Sequence, residues 1–418
     1  MSDLPSRSHS YRRIVFALAA TTPAVVLRLS GVHLADLPSL LIFGGAVVGA
    51  ACILTWAAEA AQMDVSQGLA IAVLALIAVL PEYAVDLYFA WTAGKKPEYA
   101  QYAAANMTGS NRLLIGIGWA LVAFMAARWM AKNRPREHRE LDLRPERSVE
   151  ILFLAAASTY AFIVPIKGNL AWYDSLILIG LFGLYAWRIS GASKEEPELM
   201  GVAATLGALP KSRRRRAVGL LFLASAGAII ASAEPFAEAL IGTGTQLGID
   251  RFLLVQWLAP LASESPELIV AVMLAMRGKG EAGLGTLLSS KLNQWTLLVG
   301  SLPIAYGISH GSFAPLPLDA RQVEEFLLTS AQAVMAVAVL TNLRFMRWEA
   351  GALLGLFLLQ LPFPQTSVRY GFSVLYIFLA IGMFVRDHNT VGTTFRLAIR
   401  REPRPSISSG GSTTGPKT

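Results

Sequence analysis

The stretch APLASESPELIV (259–270) places two glutamates, Glu264 and Glu267, on either side of Pro266 in an otherwise apolar run. An ionised carboxylate inside an apolar helix costs several kcal/mol unless it binds a cation, is protonated or pairs with a base. Proline removes a backbone donor and frees a carbonyl one turn earlier, so we expect the helix to open here and offer oxygen ligands. The stretch therefore predicts a functional site within a membrane.

The composition is that of a polytopic membrane protein. Of 418 residues, 54% are hydrophobic and 15% charged, with a mean hydropathy of +0.50, whereas soluble domains carry about 25% charged residues. A soluble fold would need several buried helices without a polar face, which excludes that class. About twelve apolar stretches approach the ~20 residues that cross a bilayer as a helix. They are 12–30, 37–61, 66–93, 97–128, 148–166, 172–188, 217–241, 250–276, 282–308, 322–343, 349–363 and 369–386.

The distribution of lysine and arginine predicts the orientation. Most of them lie at the ends of spans that share one side with both termini, and cytoplasmic loops carry such an excess. We therefore expect both termini in the cytoplasm of a bacterial-type plasma membrane. Arg12 and Arg13 before the first span also fit the start of a signal peptide, although no clear cleavage site follows. The basic run 213–216 is interpreted as a span flank and not as a nucleic-acid site.

A repeated pattern divides the chain into two halves. LPEYAVDLYFAWTAG (80–94) precedes ANMTGSNRLLIGIG (105–118), and SPELIVAVMLAMRG (265–278) precedes GTLLSSKLNQWTLLVG (285–300). Each copy has a Pro-Glu pair, a helix, a Gly-containing turn and a small polar patch that opens another apolar helix. With five spans in each half, the copies have opposite orientations in the membrane. Such inverted repeats are typical of secondary transporters, whose broken helices meet near the midplane.

These motifs resemble the two alpha-repeats of the sodium/calcium exchanger family in the cation/calcium antiporter superfamily, roughly G-T-S-x-P-E followed by G-N-x-x-G-S-N-x-x-N/D. The resemblance implies an all-α membrane protein with a ten-helix core of two inverted five-helix repeats and about two extra helices. The implied units are 1–36, an N-terminal arm and extra helix; 37–190, the first repeat; 191–216, a basic cytoplasmic linker; 217–363, the second repeat; 364–386, an extra helix; and 387–418, a disordered basic tail.

The resemblance also implies the cation ligands. Glu82 and Glu267 match the paired glutamates that bind the transported cation. Ser110 and Ser290 match the serine of G-S-N, and Ser263 matches the threonine of G-T-S. Asn106 and Asn111 are at the asparagine positions of the first repeat. Carboxylate, hydroxyl and carbonyl oxygens suit hard cations such as Ca²⁺. A purely structural role of the glutamates, in which they hold helices together, is the alternative.

Several positions depart from the family pattern. The first repeat has Ile77, Ala78 and Val79 in place of G-T-S, and Leu114 and Gln294 stand where Asn or Asp is usual. Four charged residues are additional: Asp86, Glu264, Arg112 and Lys291. The spacings of Asp86 from Glu82 and of Glu264 from Glu267 place each acid pair on one helix face.

Lys291 is predicted to form an ion pair with Glu264 or Glu267. A lysine among desolvated carboxylates can lose its proton when a cation arrives, which would couple cation and proton exchange. A permanent structural salt bridge is the equal alternative. For Arg112 the structural interpretation is favoured, because guanidinium does not deprotonate.

Other polar residues are assigned weaker roles. Asn293 and Gln256 either line the cavity or bridge helices, and Glu59 and Glu238 lie either at a solvated mouth or on the ion pathway. The glycines of the repeat motifs are predicted to permit close helix packing and not to bind an ion: Gly109, Gly116, Gly118 and Gly300.

Alternative chemistries are poorly supported. The histidines, which lie in loops, tails or span ends, provide no intramembrane metal or triad site: His9, His33, His138, His310 and His388. Cys52 is the single cysteine, which excludes an internal disulfide. No P-loop is present, so no ATP-driven pumping and no cofactor is expected. An intramembrane enzyme would need a nucleophile and base pair, and none stands out.

The leading functional hypothesis is a secondary-active cation antiporter that moves Ca²⁺ or Na⁺ in exchange for Na⁺ or H⁺ by alternating access. The expected partners are small inorganic cations and the lipid bilayer, without nucleic acid. The lost hydroxyls and the added Lys291 favour proton involvement, as Na⁺/H⁺ or Ca²⁺/H⁺ exchange. A membrane protein that kept this fold without transport is the other class considered.

Overall fold

Helices form almost all of the described chain. The structure, a computed structural model, describes residues 7–64, 79–134, 140–189 and 199–399. Ile77, Ala78, His138, residues 191–198 of the linker and residues 400–418 lie outside the described residues. A helix satisfies its backbone hydrogen bonds internally, which explains why apolar spans without a water partner adopt this structure.

The first half consists of α1 to α8. Their bounds are α1 Arg7–Ser30, α2 Asp36–Ala61, α3 Leu80–Ala93, α4 Ala100–Leu113, α5 Ala120–Asn133, α6 Arg147–Tyr160, α7 Ile163–Lys167 and α8 Trp172–Ile189. A 3₁₀ turn, Pro97–Tyr99, precedes α4, and a π-helical segment, Leu114–Trp119, joins α4 to α5. Two short strands follow α5 and α7: β1 Leu141–Asp142 and β2 Asn169–Leu170.

The second half repeats this arrangement. Its helices are α9 Gly201–Gly207, α10 Lys211–Leu247, α11 Arg251–Met276, α12 Gly280–Asn293, α13 Val299–His310, α14 Ala320–Leu340, α15 Arg347–Gln360, α16 Thr366–Arg386 and α17 His388–Ile399. A π-helical segment, Gln294–Leu298, joins α12 to α13. The strands are β3 Leu316–Pro317 and β4 Arg344–Phe345.

The helices follow the predicted spans closely, with most ends within a few residues. Eight helices of the described ranges are long and apolar enough to cross a membrane. The other four predicted spans correspond to α3, α8, the α12–α13 pair and α15. Much of the span predicted at 66–93 lies outside the described residues, and its described part is α3. Large apolar side chains such as Phe16, Ile166 and Ile230 are exposed on the outer helices, as expected for contact with lipid.

The strand pairing demonstrates the inverted relation of the two halves. β1 and β2 of the first half correspond to β3 and β4 of the second, yet β1 pairs with β4 and β2 with β3, both antiparallel. This exchange is what a pseudo-twofold axis produces. Since α6 and α7 separate β1 from β2, the two ladders lie at opposite ends of the bundle. The fold is therefore an all-α membrane bundle of two inverted repeats, with α1 and α16 added.

Helix α11 packs at the centre of the bundle. It contacts α4, α12, α10 and α2, while α10 lies along α2 and α14 lies along α16. The glycines of the repeat motifs allow neighbouring helices to pack closely, as predicted. A Cβ added at Gly109 would meet the Gln256 carbonyl oxygen at 1.8 Å, and one at Gly116 would meet Phe357 at 2.3 Å. Only glycine allows the two site helices to approach this closely.

Two predictions about the connections require correction. The predicted linker 191–216 contains helix α9, and the span expected from 217 begins at Lys211, so the basic run forms the first turns of α10. Within that run, Arg214 Nε donates to Asp64 at 2.6 Å. The tail was predicted to be disordered from residue 387, but residues 388–399 form α17, which packs on α6.

Candidate cation-binding site

Two carboxyl groups from opposite repeats meet at one serine. Glu82 lies in the first turn of α3, where Pro81 suits a helix start because its missing N–H needs no partner there. Ser110 Oγ of α4 lies 2.6 Å from Glu82 Oε1 and also contacts Glu264 Oε1 of α11. All three side chains are buried. The predicted acid pair within α11 is therefore less central than this pair between repeats.

Gln294 joins the same two carboxyl groups from a third direction. Its Nε2 donates to Glu82 Oε2 and to Glu264 Oε1, each at 3.1 Å. Gln294 is the first residue of the π-helical segment after α12, and such segments are frequent at functional sites. Leu114, at the equivalent position of the first repeat, opens the other π-helical segment. The family pattern has a polar residue at this position in each repeat, whereas this chain has one amide, Gln294, and one apolar side chain, Leu114.

Lys291 does not form the predicted ion pair. Within the described residues its ammonium is hydrogen-bonded to Asn111, through Oδ1 and through the backbone oxygen at 3.4 Å, and forms no salt bridge with Glu264 or Glu267. Its Nζ also lies 4.6 Å from the ring centroid of Trp295. The predicted ion pair is wrong because a neutral amide and an aromatic face occupy the directions in which the ammonium points.

Asp86 and Asn106 form a second polar pair one helical turn from the carboxyl groups. Asn106 Nδ2 donates to Asp86 Oδ1 at 2.9 Å, and both side chains are buried. Among the residues that the structure describes, Asp86 Oδ2 and Asn106 Oδ1 have no hydrogen-bond partner. Nearby, Tyr83 donates to Asn293 Oδ1 at 3.0 Å and links α3 to α12. A buried carboxyl with one free oxygen favours a protonated or cation-bound form.

Glu267 faces a small cavity beside the carboxyl pair. The cavity is lined by Leu113, Leu114, Gly118, Glu264, Glu267, Leu268 and Leu287. Ser290 lies close enough to Glu267 to interact with its carboxyl group. Within the described residues, Glu267 Oε2 and Ser290 Oγ are buried and form no hydrogen bond of normal geometry, so both keep acceptor capacity for a cation. Ser263 differs, because its hydroxyl is bonded to carbonyls of its own helix at 3.2 and 3.3 Å. The structure therefore does not bring Ser263 to the carboxyl groups.

The helix opening expected at Pro266 is not observed. Helix α11 continues from Arg251 to Met276 through both of its prolines. The carbonyl of Ala262, one turn before Pro266, accepts from Ser265 Oγ at 3.4 Å. Helix continuity is maintained because neighbouring helices pack on both sides of the break in the hydrogen-bond ladder.

Arg112 has the structural surroundings that were favoured for it. Its guanidinium forms a buried salt bridge with Glu325 at 2.6 Å and lies 5.0 Å from the ring of Trp257. Arg369 pairs with Glu324 and Glu325 at 3.2 and 3.1 Å. Arg369, Glu324 and Glu325 were not selected as candidates from the sequence. They nevertheless carry the signal that identified Glu82, which is a charged side chain inside an apolar span.

The two peripheral glutamates have unequal surroundings. Glu238 Oε1 accepts from Tyr88 at 2.5 Å and from Tyr99 at 2.7 Å, which ties α10 to α3 and the 3₁₀ turn. Glu59, at the corresponding place in α2, is half-buried and forms no side-chain hydrogen bond within the described residues, although it lies close enough to Glu267 for electrostatic repulsion. Glu238 therefore links neighbouring helices through hydrogen bonds at its end of the bundle, whereas within the described residues Glu59 does not.

The oxygen atoms gathered here suit a hard cation as a transported substrate. In the parts of the chain that the structure describes, no three His, Cys, Asp or Glu side chains converge tightly enough for a preformed metal cage. Ser110 and Gln294 join the carboxyl groups of Glu82 and Glu264, whereas Glu267 lines the adjacent cavity. A cation between them would require these side chains to move together, as in a site that assembles during transport.

The fold and the intramembrane carboxyl groups define a secondary cation antiporter with two inverted repeats. Residues 37–191 and 218–364 match the family described as Sodium/calcium exchanger protein. The chain belongs to this family of cation/calcium antiporters, and it is a transporter and not an enzyme. The matched ranges are close to the two predicted repeats, 37–190 and 217–363.

Solved structures show the same architecture. The H⁺/Ca²⁺ exchanger CAX is 45% identical, with a TM-score of 0.88 over 94% of this chain and 98% of that chain. Native YfkE is 14% identical, with a TM-score of 0.58 over 89% and 99%. The sodium-calcium exchanger NCX_Mj is 17% identical, with a TM-score of 0.51 over 78% and 98%. The last two share the fold alone. No curated protein matches this chain.

Proposed function

We propose that this protein exchanges Ca²⁺ for H⁺ across the plasma membrane, with both termini in the cytoplasm. The observation that carries the proposal is the pair of contacts made by Ser110. Its hydroxyl lies within hydrogen-bond distance of one oxygen of Glu82 and one of Glu264. A serine hydroxyl has a single hydrogen and donates to only one acceptor. This arrangement suits a state in which one of the two carboxyl groups is protonated and donates its own hydrogen to Ser110 Oγ.

This arrangement gives a simple route from proton binding to cation release. Two ionised carboxylates that share one buried serine repel each other, and the membrane interior offers little solvation. Either protons or a divalent cation relieves that repulsion, but both cannot occupy the same oxygens. Binding of Ca²⁺ by Glu82, Glu264 and Glu267 would therefore release protons, and protonation would release Ca²⁺. Asp86, Asn106, Asn111 and Ser290 are placed around this exchange as supporting polar groups.

Further features support protons over sodium as the exchanged ion. Lys291 donates to Asn111 and so leaves Glu82 and Glu264 without a directly paired base. The hydroxyls of the family's first G-T-S are replaced by apolar side chains, and Ser263 is bonded to its own helix, so fewer oxygens are available for several Na⁺ ions. The exchanger CAX, at 45% identity, is described as an H⁺/Ca²⁺ exchanger. Na⁺/H⁺ exchange through the site that contains Lys291 is the second candidate.

Transport in vesicles tests the proposal. The purified protein would be reconstituted with a Ca²⁺ dye and a pH dye trapped inside, and pH or Na⁺ gradients would be imposed separately. We expect the pH gradient to drive Ca²⁺ movement with proton movement in the opposite direction, and the Na⁺ gradient to drive none. Glu82→Gln and Glu264→Gln should each abolish the flux, whereas Glu98→Gln, at an exposed position, should not.

The other outcomes are equally informative. Calcium flux driven by Na⁺ without a pH change would replace the proposal with Na⁺/Ca²⁺ exchange. Sodium flux coupled to protons, without calcium flux, would favour the second candidate. The absence of any flux, in vesicles that contain correctly folded protein, would support a non-transporting protein with the exchanger fold.

A further inference from the structure

A buried quartet of charged side chains connects the added helix α16 to the site helix α4. Arg112 of α4 pairs with Glu325 of α14 at 2.6 Å, and Arg369 of α16 pairs with Glu325 at 3.1 Å and with Glu324 at 3.2 Å. The four side chains are between 1% and 9% exposed. Glu325 therefore lies between two guanidinium groups, one from the core and one from outside it.

The core end of this quartet adjoins the cation site directly. Arg112 follows Ser110 and Asn111 in α4, and its backbone oxygen accepts from Gln332 Nε2 at 3.5 Å. The guanidinium also lies over Trp257 of α11, 5.0 Å from the ring centroid. A shift of Arg112 would consequently move the residues that contact Glu264 and Lys291.

Charge balance explains why Arg369 is needed. Glu324 and Glu325 are both buried, and within the described residues Arg112 pairs with Glu325 only. Without Arg369, Glu324 would therefore lose the base it pairs with and leave an excess negative charge in the membrane. Removing one partner of a buried ion pair leaves the other uncompensated, which is far more costly than removing both. Arg369 neutralises Glu324 and so leaves Glu325 fixed against Arg112.

We propose that Arg369 is a positioning residue for cation binding: through Glu325 and Arg112 it holds α4 so that Ser110 reaches both carboxyl groups. Arg369 lies beyond residue 364, where the family match ends. The inference therefore gives the added helix α16 a role in transport besides its packing against α14. It rests on the proposed cation exchange at Glu82 and Glu264.

Calcium transport kinetics in reconstituted vesicles test this role. Arg369→Gln should raise the KM for Ca²⁺ roughly 3- to 30-fold, the usual range of coupling through packed networks, while changing Vmax less. The double variant Arg369→Gln with Glu324→Gln removes one charge of each sign and should restore a KM close to that of the wild type. The control is Arg28→Gln in the other added helix, α1, where the arginine is 45% exposed and pairs with Glu234, which is 47% exposed; its KM should not change.

The outcomes separate this inference from the proposed function. A wild-type protein without proton-driven Ca²⁺ flux would contradict the proposed function itself. If the wild type transports Ca²⁺ and Arg369→Gln lowers only the amount of folded protein, with an unchanged KM, the arginine is merely structural and the inference is overturned. A double variant with a KM as high as that of the single variant would also overturn it, since charge balance would then not be the cause.

Discussion

At the scale of single residues, the properties of the site depend on equivalent positions of the two repeats that carry different amino acids. Asn111 and Lys291 occupy the same place in the G-S-N pattern, and they contact each other across the pseudo-twofold axis. The ammonium is thereby held by a neutral acceptor. The carboxyl groups of Glu82 and Glu264 are left to Ser110 and Gln294, which can accommodate both the ionised and the protonated carboxyl.

The role of the shared serine can be measured. Ser110→Ala removes a hydroxyl that contacts two carboxyl groups, and a hydrogen bond to a charged group is worth about 1.5–3 kcal/mol. We expect the KM for Ca²⁺ to rise about 10- to 100-fold in vesicle transport, at the conversion of ~1.4 kcal/mol per tenfold. Ser225→Ala is the control, because that serine is also buried in a helix but bonds only to the Phe222 carbonyl. Equal effects of the two changes would contradict the assignment.

At the scale of helices, the decisive contact is the approach of α4 to α11. Pro260 cannot donate to the Gln256 carbonyl one turn earlier, and Gly109 packs directly on that carbonyl oxygen. A proline in one helix and a glycine in the other thus bring the two site helices together. This contact is what allows Ser110, the next residue, to reach Glu264.

A methyl group at this contact should separate the helices. Gly109→Ala places a Cβ at 1.8 Å from the Gln256 carbonyl oxygen, and such overpacking costs about 1–3 kcal/mol. We expect a lower thermal unfolding temperature in detergent and loss of Ca²⁺ flux. Gly180→Ala provides the comparison, since a Cβ there meets nothing within 4 Å and should leave stability unchanged or slightly higher. An unaltered unfolding temperature for Gly109→Ala would show that the helices can move apart without cost.

At the scale of the whole molecule, the inverted repeats place equivalent groups at opposite ends of the bundle. Glu238 is tied to Tyr88 and Tyr99, whereas Glu59 forms no side-chain hydrogen bond within the described residues. The tyrosine contacts of Glu238 therefore have no counterpart at Glu59 among the described residues, although the two glutamates hold equivalent positions.

The orientation of the molecule can be determined by labelling. In a Cys52→Ala background, single cysteines would be introduced as Ser212→Cys and Ser312→Cys, both at exposed positions. The excess of Lys and Arg predicts that residue 212 lies in the cytoplasm and residue 312 outside. A membrane-impermeant maleimide should therefore label only the Ser312→Cys protein in intact cells, and both proteins after lysis. The reverse pattern would overturn the assignment of cytoplasmic termini.

Much of this protein could be predicted because the membrane simplifies the rules for individual segments. Span positions followed from apolar length, and the inverted repeats followed from two Pro-Glu motifs and an odd number of spans in each half. Glu82 was selected as a candidate because an intramembrane charge is costly, and Ser110 because it matches the serine of the family's G-S-N pattern. The prediction of disorder from residue 387 failed for α17, since the burial of Thr394 and Ala398 depends on packing that composition does not reveal.

The sequence by itself determined the class of fold and the residue types available for cation binding, and it predicts the orientation, since each depends on local hydrophobicity, charge or motif. Only the tertiary structure decided which of these residues meet. In the folded chain Ser110 connects Glu82 to Glu264, Lys291 donates to Asn111, and Glu325 connects Arg112 to Arg369. Such contacts join residues up to 220 positions apart, and they depend on how the two repeats face each other, which no local pattern specifies.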